Sequence, residues 1–79
     1  MQTVTNRIID VVAAELEIDP DQIGETSRLV EDLDADSLAL VSVLAGLERE
    51  FRVSIDTAEI PRMTDVRSIQ AVLAEAAGW

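Results

Sequence analysis

Leu40, Val43, Leu44, Leu47 and Phe51 fall at successive steps of three and four residues, and a chain can bury such a set together only by winding it into a helix. That spacing predicts a helix beginning at Asp36 or Ser37 and running to Phe51. Leu38, Val41 and Ala45 form a second stripe on it, so its apolar surface is wider than one buried face requires. Either the helix is packed on several sides, or it meets something outside the domain. Upstream, Val4, Ile8, Val11, Val12 and the apolar positions of residues 14–16 repeat the period, giving a first helix over residues 3–17 with Thr3 or Thr5 as its cap. Downstream, Val66, Ile69, Val72, Leu73 and Ala76 repeat it again, entered through Thr64 or Asp65 and ended before Gly78.

The stretches between these helices carry stop signals. Asp19 and Pro20 break the first helix and start one short turn. Residues 24–34 read as a loop pinned by Leu29, Val30 and Leu33, and residues 56–60 as a short helical turn stopped by Pro61. Val53 and Ile55 are too brief a run to build a sheet, and no hairpin signal, internal repeat or low-complexity tract is present. The expected fold class is all-α, a four-helix bundle with three main helices and a short third helix, in one domain over residues 1–79.

A domain this small buries a modest fraction of its surface, and with no cysteine and no histidine it has neither disulfides nor a cysteine/histidine zinc site to support it. Hydrophobic packing, from a 48% apolar composition, has to suffice. Sixteen acids against six arginines and no lysine leave a net charge of -10, which makes nucleic acid and anionic membranes poor partners and a basic protein surface a natural one. The apolar runs are too short to span a membrane, and the first seven residues lack the basic region and apolar run of a signal peptide, so the cytoplasm is the expected compartment and a monomer the expected state. Trp79 either packs against the first helix or stays loose.

The stretch V-E-D-L-D-A-D-S-L-A-L-V, residues 30–41, admits three roles. Asp32, Asp34 and Asp36 match positions one, three and five of a calcium loop, but Ser37 stands where the loop needs glycine and Val43 where it needs glutamate, so no metal site is expected. Asp36 can cap the helix, with the other acids favouring its positive end, although four acids so close also repel one another. The third role is attachment at Ser37, whose place at the junction of loop and helix predicts an exposed hydroxyl. Without histidine, lysine or cysteine the chain has no ordinary base to make that serine its own nucleophile, so no catalytic residue is expected, and any modification is another enzyme's work.

At these residues the chain resembles a known family. Asp32-Leu33-Asp34-Ala35-Asp36-Ser37-Leu38, followed by Leu47-Glu48-Arg49-Glu50-Phe51, resembles the acyl carrier proteins, and the likeness extends over essentially the whole chain through residues 27–33, the region of Ile55 and Pro61, and Thr64-Asp65-Val66. It implies that Ser37 receives 4'-phosphopantetheine from coenzyme A through a separate, magnesium-using phosphopantetheinyl transferase, that Asp36 supports the loading, and that the arm carries acyl groups as thioesters. It also implies as partners an acyltransferase or acyl ligase and a ketosynthase. Leu38 and Val41, with Glu31, Asp32, Asp34, Glu48 and Glu59 as peripheral charge, are the expected partner-binding residues. Leu44, Leu47 and Ile60 are candidates for an acyl cavity, or ordinary core. Asp34 stands where fatty acid carriers usually have glycine, and Ala39 and Ser42 where they commonly have acids. The resemblance therefore favours carriers of polyketide and related specialised pathways over those of fatty acid synthesis, with peptidyl or aminoacyl carriers and an unmodified acidic adaptor as alternatives.

Overall fold

The computed structural model describes residues 3–79, so the part of the N-terminal reading that falls on Met1 and Gln2 lies outside the described residues. Three α-helices form: α1 (Val4–Leu16), α2 (Ser37–Phe51) and α3 (Val66–Ala77). Two 3-10 helices join them, η1 (Pro20–Gln22) after α1 and η2 (Thr57–Arg62) between α2 and α3. This is the expected all-α bundle, with η2 as its short third helix. Among the described residues no strand forms; Arg28 and Asp65 meet in one isolated antiparallel bridge.

Each helix starts where a short polar side chain can accept an amide left unpaired at its N-terminus. Thr3 Oγ1 accepts from the Asn6 amide at 3.1 Å, Asp36 Oδ1 from Ala39 at 2.8 Å and Asp65 Oδ1 from Ser68 at 2.8 Å. Asp19 and Asp56 serve η1 and η2 in the same way, each 2.9 Å from the amide two residues on. The C-terminal ends are less legible. Glu17 and Arg52 take the left-handed conformation, at φ 58° and 56°, where glycine is the usual choice; only α3 ends on a glycine, Gly78 at φ 74°.

Apolar faces meet along α1. Ile8 and Val12 of α1, Val43 and Leu47 of α2, and Val66, Ile69 and Leu73 of α3 are buried, with Leu29 and Met63 filling the space between elements. α1 packs on both α2 and α3, whereas no Cα of α2 comes within 8 Å of one in α3; η2 touches both and fills that side. At the α1–α2 crossing Gly46 is buried, and a Cβ built there would lie 2.9 Å from Val11 Cγ1, so the absent side chain is what lets the helices approach. Arg7 and Glu50 (2.9 Å) and Arg49 and Glu15 (3.6 Å) tie the same pair of helices at the surface.

Trp79 is not loose: it meets α2. Its ring meets Phe51 of α2 edge-on with centroids 6.0 Å apart while the residue remains 62% exposed, and the Arg7 guanidinium lies 4.4 Å from the centroid of the same Phe51 ring. No helix among the described residues is long and apolar enough to cross a membrane.

Candidate functional site

The loop between η1 and α2 is held at both ends by backbone bonds, which is how a segment with little regular structure can present one residue reproducibly. The Leu29 amide donates to the Thr64 carbonyl (2.9 Å), the Ala35 amide to the Leu29 carbonyl (2.9 Å) and the Arg67 amide to the Glu25 carbonyl (3.2 Å). Leu29, fully buried, and Ala35, 5% exposed, plug the loop into the core, and Leu33 packs half-buried beside them. Val30 does not pin the loop as its apolar character suggested. Leu29 and Leu33 share the inward side by their spacing of four, and Val30, one step off it, is left 49% exposed.

Each aspartate of the alternating register does a different job. Asp32 turns back on Arg28: its carboxylate accepts the Arg28 amide at 2.8 Å and the guanidinium at 3.2 and 3.1 Å, and these hydrogen bonds hold the Asp32 carboxyl below the usual carboxylate range. Glu31 lies 3.8 Å from the same guanidinium. Asp34 adopts φ 62°, the left-handed region that disfavours a side chain. Asp36 caps α2 through the Ala39 amide and also accepts the Leu40 amide on its backbone carbonyl at 3.0 Å.

Ser37 follows as the first residue of α2. It is exposed, and among the described residues its hydroxyl has no hydrogen-bond partner. Around it Leu38 is 75% exposed and Val41 45%, so the wide apolar surface of α2 is left to solvent on this side rather than packed within the domain. Chemically the arrangement offers a free primary hydroxyl at the positive end of a helix, where the first amides have no preceding turn to bond and a phosphate ester is electrostatically favoured. It offers no base: the chain has no histidine, lysine or cysteine to deprotonate that hydroxyl.

The other residues singled out in the sequence lie elsewhere. Glu48, eleven positions along α2 and so about 16 Å from Ser37, accepts the Ile55 amide at 2.8 Å and holds the turn that follows the helix. Glu59 is on η2, paired with Arg62 at 2.8 Å. Leu44 and Leu47 are buried core and Ile60 packs half-buried against it. The sequence reading passed over Arg28, although an arginine four residues before an aspartate is a visible signal, and Ala35, whose small side chain among acids gave none.

A family model described as a phosphopantetheine attachment site matches residues 6–75 of the chain. Polyketide-8 synthase acyl carrier protein 1 of Streptomyces avermitilis is 46% identical over 70 residues, which cover 89% of this chain and 83% of that protein. An acyl carrier protein of Buchnera aphidicola is 38% identical over 69 residues, covering 87% and 88%. A chain in a solved structure described as the ishigamide ketosynthase/chain length factor superposes with a TM-score of 0.78 at 39% identity, covering 95% of this chain and 94% of that one.

Proposed function

The chain belongs to the phosphopantetheine attachment family and is an acyl carrier protein, and from that premise we propose that Ser37 is its attachment point and that it serves a polyketide or related specialised assembly line. The observation that carries the attachment point is the free, exposed hydroxyl at the first position of α2. Covalent 4'-phosphopantetheine, the cofactor of this family, supplies a terminal thiol that holds acyl groups as thioesters.

Loading forms a bond from Ser37 Oγ to the β-phosphorus of coenzyme A and breaks that phosphorus's bond to the nucleotide moiety, which leaves as adenosine 3',5'-bisphosphate. The serine proton passes to a base on a separate magnesium-using transferase, since this chain has none. The chain's own contribution is positional. Asp36 fixes the first turn through the Ala39 amide, the loop plugged by Leu29 and Ala35 holds that turn to the core, and the helix N-terminus favours the phosphodiester. The second Asp36 oxygen is not used by the cap and suits the loading metal.

Leu38 and Val41 form the apolar contact for partner enzymes, with Asp34 as charge and Glu31, Asp32, Glu48 and Glu59 as peripheral charge already engaged by internal bonds. The partners of this reading are the transferase, an acyltransferase or acyl ligase, and a ketosynthase; the likeness to a chain from a ketosynthase/chain length factor structure supports the last. Leu44, Leu47 and Ile60 are core here and line an acyl cavity only if the bundle opens. The reading places residues 1–79 in the cytoplasm as one monomeric carrier domain.

The test is intact mass after incubation with coenzyme A, magnesium and a broad-specificity phosphopantetheinyl transferase. Addition of one phosphopantetheine is expected, absent in Ser37→Ala and slowed in Asp36→Asn, which keeps a capping oxygen but loses the charge. An unmodified wild-type chain beside an actively loaded control carrier would sink the assignment.

A further inference from the structure

Arg28 is the only cation between Arg7 and Arg49, the span of the chain that carries Ser37. α2 has no charged side chain from Ser37 to Leu47, so the charge a partner meets on approaching Ser37 along the chain comes from the loop that leads into the helix. Leu29, next to Arg28, accepts the Ala35 amide on its carbonyl at 2.9 Å, two residues before Ser37. The turn at Arg28 therefore borders the attachment point.

Within that turn the backbone needs nothing from the arginine side chain. The Asp32 and Leu33 amides donate to the Arg28 carbonyl at 2.9 and 3.1 Å, and the Arg28 amide donates to Asp32 Oδ2 at 2.8 Å. Any residue but proline at position 28 keeps those bonds. What the guanidinium adds is contact with charge: Nε to Asp32 Oδ2 at 3.2 Å, Nη2 to Asp32 Oδ1 at 3.1 Å, and Nε to Glu31 at 3.8 Å. The Arg28 side chain is 58% exposed, and ion pairs so open to water add little to stability. Their effect is on the charge shown outward. Asp32 and Glu31 are partly neutralised, Asp36 is engaged as a cap, and Asp34 is left as the acid of this stretch with no hydrogen bond or ion pair among the described residues.

A partner enzyme with a basic docking surface has to compete with Arg28 for Asp32 and Glu31, whereas one that docks on the exposed Leu38 and Val41 does not. We propose that Arg28 is a specificity-determining residue: by holding Asp32 and Glu31 it withholds their charge from partner enzymes, and so favours partners that read the apolar face over partners that read acids. The assignment rests on the carrier reading with Ser37 as the attachment point, and it names what selects among the enzymes that reach it.

The measurement is steady-state loading by two phosphopantetheinyl transferases, one with a basic carrier-docking surface and one with a largely uncharged, apolar surface. At low ionic strength Arg28→Gln is expected to lower KM for the basic transferase about two- to fivefold, the range open to an exposed charge. Its kcat, and both constants for the apolar transferase, should stay as in the wild type. Salt should erase the gain. Arg49→Gln changes the net charge equally but frees Glu15 at the α1–α2 crossing, and is expected to leave KM unaltered. Arg28→Gln combined with Asp32→Asn restores the net charge and keeps an oxygen for the Arg28 amide, and its KM should return towards the wild-type value. A wild-type KM in Arg28→Gln, or an equal fall in Arg49→Gln, would overturn the assignment. A lower kcat with both transferases would overturn it too, because the clasp would then be a brace for the loop. A wild-type chain that neither transferase loads, beside a loaded control carrier, sinks the carrier reading and this one with it; a loaded chain whose preference ignores Arg28 sinks this one alone.

Discussion

Asp34 holds a conformation that suits glycine, φ 62°, two residues before the cap that starts α2. Aspartate tolerates the left-handed region better than most residues, yet its Cβ still meets the neighbouring carbonyl, and its charge adds to an acidic loop. Asp34→Gly is therefore expected to raise stability by up to about 1 kcal/mol, the strain relieved outweighing the extra freedom of the unfolded chain. Asp34→Asn removes the charge alone and should recover part of the gain; Asp34→Ala removes the charge but keeps the Cβ and should be less stable than Asn. Urea melts of the three variants check the order, and a midpoint for Ala above that for Gly would show that the conformation carries no appreciable strain.

At the scale of elements, the α1–α2 crossing depends on Gly46. In an isolated helix Gly→Ala stabilises by about 1 kcal/mol, but here the new methyl would sit 2.9 Å from Val11 Cγ1, and valine in a helix has little rotamer freedom with which to retreat. Gly46→Ala is expected to lower the melting temperature, and in a Val11→Ala background the same substitution is expected to raise it. A thermal-melt cycle of the four proteins measures this, and additivity of the two changes would refute the contact. The sequence marked the helix around Gly46 by its apolar period yet gave no sign of which helix crosses there. The reason is that a glycine in a helix interior looks like a weakness until its neighbour is known.

For the whole molecule, a net charge of -10 on a small domain makes self-repulsion a global term, whereas the ion pairs at Arg7, Arg28, Arg49 and Arg62 are local and exposed. Salt should therefore raise the melting temperature, because screening the general repulsion outweighs screening the bridges. A melting temperature that falls with salt from low ionic strength would show that the bridges dominate. What the amino-acid sequence determined by itself was everything set by local period and local chemistry. It placed three helices by the recurrence of apolar residues, their starts to within two residues (Thr3 or Thr5, Asp36 or Ser37, Thr64 or Asp65), and Ser37 at a helix N-terminus beside an acidic loop. Tertiary structure alone decided which of the apolar residues face inward and which acids remain open. Val30 turns outward because Leu29 takes the core; Glu48 is engaged by the Ile55 amide; Trp79 meets Phe51. Those outcomes depend on neighbours distant in the chain or on the direction a loop takes, and neither periodicity nor capping chemistry encodes them.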